Sequence, residues 1–157
     1  GVKYHSHRRN QMRSQSINRA DAEIMWGVFH NVSGGVMSNG HAAQLTNLAA
    51  SLDGNGIVNP ITNQGALFVG VVAEDIADNG YGLVQTYGYK DSIHLFALGT
   101  AITVTANDIV GQGATASNGG FGSAARADKA TVLGPVIALE TSQVNTGAYI
   151  KGFIRAM

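Results

Sequence analysis

Gly70-Val71-Val72-Ala73-Glu74, followed by Gly80-Tyr81-Gly82-Leu83-Val84, is answered further along the chain by Gly134-Pro135-Val136-Ile137-Ala138-Leu139-Glu140 and then Gly147-Ala148-Tyr149-Ile150. Each block sets an aliphatic run ahead of a glutamate and follows it with a glycine-led run containing tyrosine, with a slip of one or two residues. Similarity on this scale marks a repeated supersecondary unit. A second alignment lays Gly40-His41-Ala42-Ala43-Gln44-Leu45-Thr46 on Gly99-Thr100-Ala101-Ile102-Thr103-Val104-Thr105, with Gly, Ala, an aliphatic and Thr in step. The repeats predict two copies of a β-module, residues 28–88 and 89–157, sharing one core. Each copy alone would leave open strand edges, which closure into a barrel satisfies.

Outward from these blocks the chain is punctuated by turn signals at Ser33-Gly34-Gly35, Asn39-Gly40, Asp53-Gly54-Asn55-Gly56, Asn79-Gly80 and Asn118-Gly119-Gly120, residues that accept tight corners. Strand-like runs lie between them at 36–45, 66–72, 83–87, 93–98, 102–105, 132–139 and 149–154. The stretch from Asn18 reads two ways. Asn18 and Asp21 resemble a helix cap ahead of Ile24, Met25, Val28 and Phe29, whereas Trp26 to Val32 alternates as a strand does; from Val28 onward strand is the expectation. The predicted fold class is all-β, a small barrel-like or β-tulip domain with an extended basic N-terminal arm. Ala42, Leu45, Val69, Val71, Leu83, Ala101, Val104, Val136, Ile137 and Ile150 are the expected core.

The 157 residues are 45% hydrophobic and 13% charged, about half the charge usual for soluble domains. Some of the surface is therefore expected to be covered by another molecule. Glycine, at 21 residues without a collagen period, indicates many corners. The absence of cysteine excludes disulfides, thiolate nucleophiles and zinc–thiolate sites. No apolar run is long enough for a membrane-spanning helix, and the basic, polar start is unlike a signal peptide, so synthesis in the cytoplasm is expected.

Zero net charge conceals an asymmetry. Lys3, Arg8, Arg9, Arg13 and Arg19 all precede the first acidic residue, Asp21, so the first twenty residues carry +5 and the remainder −5. Residues 1–19 are read as an arm without autonomous fold, ahead of a single body at 20–157. Such an arm suits an acidic protein surface, a neighbouring copy or nucleic acid.

Catalytic constellations are sparse. No serine sits in Gly-x-Ser-x-Gly, and Gly119-Gly120-Phe121-Gly122-Ser123 lacks the lysine of a phosphate-binding loop. His5 and His7 could pinch a metal only with a third ligand, and none is near. His30, His41 and His94 stand alone in strand or turn context. Asp75, Asp78 and Asn79 before Gly80 resemble part of a calcium loop but lack its spacing and its terminal glutamate, so they read as an acidic turn. Glu74 and Glu140 occupy equivalent repeat positions. Paired-carboxylate catalysis would need them across one cleft, whereas strand-end residues would bind backbone amides. Trp26, Tyr81, Tyr87, Tyr89 and Phe96 could form a stacking platform for bases or sugars, or cross-strand core pairs. Asn31-Val32-Ser33 matches a glycosylation sequon and is read as chance.

The segment from Val28 to Ile154 resembles phage head decoration, or capsid cement, proteins. Carrying the resemblance are Phe29-His30-Asn31-Val32-Ser33-Gly34-Gly35, Phe68-Val69-Gly70-Val71-Val72-Ala73-Glu74-Asp75-Ile76-Ala77, Gly82-Leu83-Val84-Gln85-Thr86-Tyr87-Gly88 and Gly134 to Glu140. Where such proteins usually have a Gly-Asp pair, this chain has Gly99-Thr100, and the basic arm is not a general feature of them. The resemblance implies a non-enzymatic virion protein, without cofactor, that trimerises on the outer surface of the capsid and bridges major capsid protein subunits. Its partners would be the major capsid protein and further copies of itself, with Lys3, Arg8, Arg9, Arg13 and Arg19 as the capsid-binding arm, and with neither nucleic acid nor membrane as a partner. Alternatives are a tail, fibre or baseplate component, or a module that binds nucleic acid or glycan.

Overall fold

The computed structural model describes residues 23–46, 54–60, 68–96, 102–112, 121–123, 136–144 and 146–156. The five basic arm residues, His5, His7, the 118–120 turn and Ala101 lie outside them. Every regular element among the described residues is a strand: β1 Met25–Asn31, β2 Ala42–Leu45, β3 Gly56–Val58, β4 Phe68–Val72, β5 Tyr81–Phe96, β6 Ile102–Val104, β7 Ile109–Gln112, β8 Phe121–Ser123, β9 Val136–Ala138, β10 Ser142–Val144 and β11 Gly147–Arg155. The all-β expectation holds, and the helical reading of Ile24 to Phe29 does not. Trp26, Val28 and His30 point outward while Phe29 and Asn31 point in, a period of two that the pairing of β1 with β5 requires.

The strands close into two rings that share β5. In the first, β1 pairs with β3 in parallel, and β3–β2, β2–β4, β4–β5 and β5–β1 are antiparallel. In the second, β5 pairs with β8 in parallel, and β8–β7, β7–β9, β9–β11 and β11–β5 are antiparallel. The wiring is identical, with the second half of β5 standing where β1 stands. Closure removes the free edges that each module would otherwise expose, so open edges are not what would drive this chain to associate with others.

Paired hydrogen bonds give the equivalence residue by residue. The Gly40 amide donates to the Val72 carbonyl at 2.9 Å, and the Asn107 amide to that of Ala138 at 2.7 Å. Val72 and Ala138 return the bond to His41 and Asp108 at 2.9 and 2.8 Å, while Ala73 and Leu139 donate to Leu83 and Lys151, both at 2.9 Å. Gly40 and Asn107 share a left-handed corner, with φ of 87° and 72°, a conformation that glycine and asparagine tolerate best. The stretch around β2 therefore corresponds to that around β7, not to β6. The Gly40–Gly99 alignment fails because β6 pairs with β10, the counterpart of the single bridge between Met37 and Ile76. An aliphatic–Thr pattern alone could not separate β6 from β7.

Two apolar clusters result. Met37, Ala43, Ile57, Val72, Ile76 and Val84 fill the first ring. A larger cluster contains Ile93, Leu95, Val110, Val136, Ile150 and Ile154, and reaches back to Ala42 and Val71. β2 and β4 thus bury both faces, Ala43 and Val72 into one cluster and Ala42 and Val71 into the other. This is why they read as continuous apolar runs. Each fully buried Ile or Leu contributes about 1.5–3 kcal/mol. Of the expected core, Ala42, Val71, Val104, Val136 and Ile150 are buried, and Leu45, Val69 and Ile137 are half-buried. Leu83 is exposed. Its neighbours Gly82 and Val84 take the inward positions, and Gly82 does so because a Cβ there would fall 2.5 Å from Ile76.

The run at 83–87 and residues 93–96 of the run at 93–98 belong to the single sixteen-residue strand β5, which has a positive φ of 102° at Gly88; residues 97 and 98 lie outside the described residues. A Cβ at Gly88 would lie 2.4 Å from the Glu23 carbonyl oxygen. Gly88→Ala should therefore cost about 2–4 kcal/mol, combining backbone strain with a contact against main chain. Gly111→Ala, where a Cβ meets nothing within 4 Å, should be nearly neutral. Urea unfolding midpoints of the two variants check this, and equal midpoints would refute the role given to Gly88.

Candidate functional site

Register brings the isolated histidines to tyrosines. His30 lies directly opposite Tyr81 across β1–β5, and His94 opposite Tyr149 across β5–β11. These are equivalent positions in the two rings. His30 and Tyr81 stack with centroids 4.6 Å apart and planes 11° from parallel; His94 and Tyr149 are 5.0 Å apart and tilted by 53°. The signal was present in the sequence as His30…Tyr81 and His94…Tyr149 in step with the repeat. Finding it required the register.

At the second pair, the first ring adds a further layer. The His41 ring stacks on His94 at 4.5 Å and 16°, the His94 amide donates to the Gly40 carbonyl at 2.9 Å, and Lys90 Nζ donates to Asn39 Oδ1 at 2.9 Å. Gly40 has no room for a side chain, since a Cβ would lie 2.7 Å from the Ser92 carbonyl oxygen and 3.0 Å from the Tyr149 ring. The corner Asn39-Gly40-His41 is thus seated on the outward face of the second ring. Beside it opens a cleft of about 410 Å³ lined by His41, His94, Asn59, Val36, Phe96 and Thr146, which can admit a small polar molecule.

Burial holds both seam histidines below their ordinary 6.5. His41 is lowered further by the facing His94 and raised in part by Asp75. His94 Nδ1 is buried with no hydrogen-bond partner among the described residues, so protonating both ring nitrogens would bring a charge into the seam with no acceptor for the Nδ1 proton. Burial also lowers Lys90, opposed by Asp91. Nearly parallel imidazoles direct their lone pairs along separate planes, so His41 and His94 do not converge on one ion. Among the described residues no group of three or more metal-ligating side chains assembles.

The remaining candidates do structural work. Glu74 Oε1 accepts the Leu83 amide at 3.1 Å, and Glu140 Oε1 accepts the Lys151 amide at 2.8 Å, so the two glutamates cap strands in the same way. Asp75 accepts the Asn39 amide at 2.8 Å and Asp78 that of Gly34 at 3.0 Å, which fastens the acidic turn to the opposite loop. Asn31 is fully buried, and its Nδ2 donates to the carbonyls of Gly35, Ile76 and Ala77, so its amide is not available for a glycan in the folded chain. The aromatic residues do not form one platform. Tyr87 meets Phe153 edge to face at 5.2 Å, Phe96 lines the cleft, and Trp26 and Tyr81 lie on the outer face of the first ring. No family model matches the chain, and no curated protein matches it.

The histidine shifts fix the sign of a pH dependence. A folded-state value below that of the unfolded chain means that unfolding takes up protons. Stability should be full above pH 6.5, decline as the pH falls below it, and level off once the folded-state values are passed. Thermal midpoints measured between about pH 8 and about pH 5 should show this decline, and His41→Asn/His94→Asn should flatten it. An unchanged slope in the double variant would assign the decline to other groups.

Proposed function

We propose that this chain is a structural virion protein that binds the outer surface of a phage capsid and stabilises the head by bridging neighbouring major capsid subunits, acting as a homotrimer and without catalysis. The observation that carries the reading is where the chain places its polar and apolar groups. Strand edges are closed into rings, and Glu74, Glu140, Asp75 and Asp78 bind backbone amides, while Trp26, Val28, Tyr81 and Leu83 are left outside. A surface arranged in this way gains by being covered. The low charge content and the segregated +5 arm suit a protein attached through many weak contacts repeated by symmetry, where each exposed ion pair contributes only about 0–1 kcal/mol.

Deletion of residues 1–19, which removes Lys3, Arg8, Arg9, Arg13 and Arg19, should lower occupancy on heads emptied of genome. Binding of the full chain should weaken as salt shortens the reach of the charges. Decoration by the truncated chain that is as complete and as salt-resistant as that of the full chain would remove the arm as anchor. A virion with few copies, all on the tail, would favour the tail-component reading instead.

A further inference from the structure

Of the lysine and arginine side chains among the described residues, only that of Lys90 is buried, 8% exposed. Its ammonium donates to Asn39 Oδ1 at 2.9 Å. A neutral amide compensates a buried cation far less than a carboxylate does, and burial accordingly lowers the Lys90 pKa against the opposing pull of Asp91, which is exposed. More of the lysine therefore stands as free amine, the form with a lone pair to give. The pair belongs to the junction between the rings, because the residue equivalent to Asn39 in the second ring is Ala106.

Both partners are held in place by the backbone. The Asn39 amide donates to Asp75 Oδ1 at 2.8 Å, while the Gly40 amide donates to the Val72 carbonyl and the Gly40 carbonyl accepts the His94 amide, both at 2.9 Å. Lys90 is fixed in the β5–β11 ladder opposite Gly152, beside the register shift between Ile150 and Gly152. With one C=O bond added to the Nζ–Oδ1 separation, Nζ stands about 3–4 Å from Asn39 Cγ, against about 3–3.5 Å for reacting atoms poised to join. Asp75 is close to the same amide, because covalent geometry keeps Cγ within about 4 Å of its own backbone nitrogen. Asn39 and Asp75 are exposed, so a small leaving group has a way out to water.

We infer that Lys90 Nζ and Asn39 Cγ join in an isopeptide bond, which ties the corner of the first ring covalently to β5, with Asp75 carrying the proton. Nζ, as free amine, adds its lone pair to Cγ, and the carbonyl electrons move onto Oδ1. Asp75 takes one proton from Nζ and passes it to Nδ2. The Cγ–Nδ2 bond then breaks with its electron pair as the carbonyl re-forms. One amine and one primary amide become one secondary amide and one ammonia, and no oxidant, reductant or cofactor takes part. The product removes the buried charge and closes a covalent loop from residue 39 to residue 90 that contains β2, β3, β4 and the first half of β5.

Mass spectrometry of the purified, folded full chain tests this. The intact chain should be lighter than its sequence by one ammonia, about 17 Da. Trypsin then locates the loss. No lysine or arginine lies between Arg19 and Lys90, and the next beyond is Arg126, so an unlinked chain yields fragments 20–90 and 91–126. The linked chain should yield a single fragment 20–126 that lacks the ammonia, because an acylated lysine is not cut. Lys90→Arg and Asn39→Ala should each keep the full mass of their sequences. Asp75→Asn, which can still accept the Asn39 amide but cannot carry the proton, should do so as well, with an unchanged circular dichroism spectrum. Full mass in the folded wild type would overturn the inference, as would a loss of ammonia that persists in Lys90→Arg. So would a loss that leaves the cut after Lys90 intact, since that is the mark of a succinimide formed by the Gly40 amide. Complete linkage in Asp75→Asn would overturn the role given to Asp75.

Discussion

β5 cannot be removed from either ring. Its first half is the closing strand of one barrel and its second half the opening strand of the other, so every backbone ladder in both rings depends on its position. A sixteen-residue strand can serve two small barrels only by turning from one to the other. Gly88 makes that turn with its positive φ, pressed against the Glu23 carbonyl. The cost is one residue held in a conformation that other side chains avoid. The return is that the two barrels are joined by a continuous strand, with no linker between them.

Around that strand the two copies kept their wiring and diverged in their surfaces. The capping glutamates, the left-handed corners and the outward His–Tyr pairs recur at matched positions, which is the part of the module that its backbone geometry demands. Divergence is concentrated on the faces. Exposed Lys151 and half-buried Ser92 stand in the second ring where the first ring has the exposed apolar Leu83 and Val28. Where the Asn39–His41 corner meets the second ring, the seam is stitched by hydrogen bonds, including that from Lys90 to Asn39.

Much of this was legible in the sequence because duplication leaves a trace that single strands do not. The Gly70 and Gly134 blocks align correctly because β4 and β9 lead into the same capping glutamate. β3, β7, β8 and β10 were not legible, being only three or four residues long, and β3 begins inside a glycine-rich turn signal. Such strands are specified by the neighbours they pair with and hardly by their own composition. Leu83 was placed in the core because Gly82 conceals the phase of the alternation: an inward glycine looks like no side chain at all. The histidines escaped because their partners lie some fifty residues away, where only cross-strand register could connect them.

The shared strand also orders events in time. β1 and β5 are joined by contacts such as His30 to Tyr81, so the first ring must wait for a long loop to close, and folds dominated by such distant pairings are slow. Once that ring has formed, the second half of β5 projects from it already extended, as a template on which β11 and β8 can assemble. For a chain emerging from the ribosome, the earlier barrel completes before the later one has been made. The order of synthesis and the order of assembly then coincide, and the exposed half of β5 is the surface most open to wrong pairing in the interval.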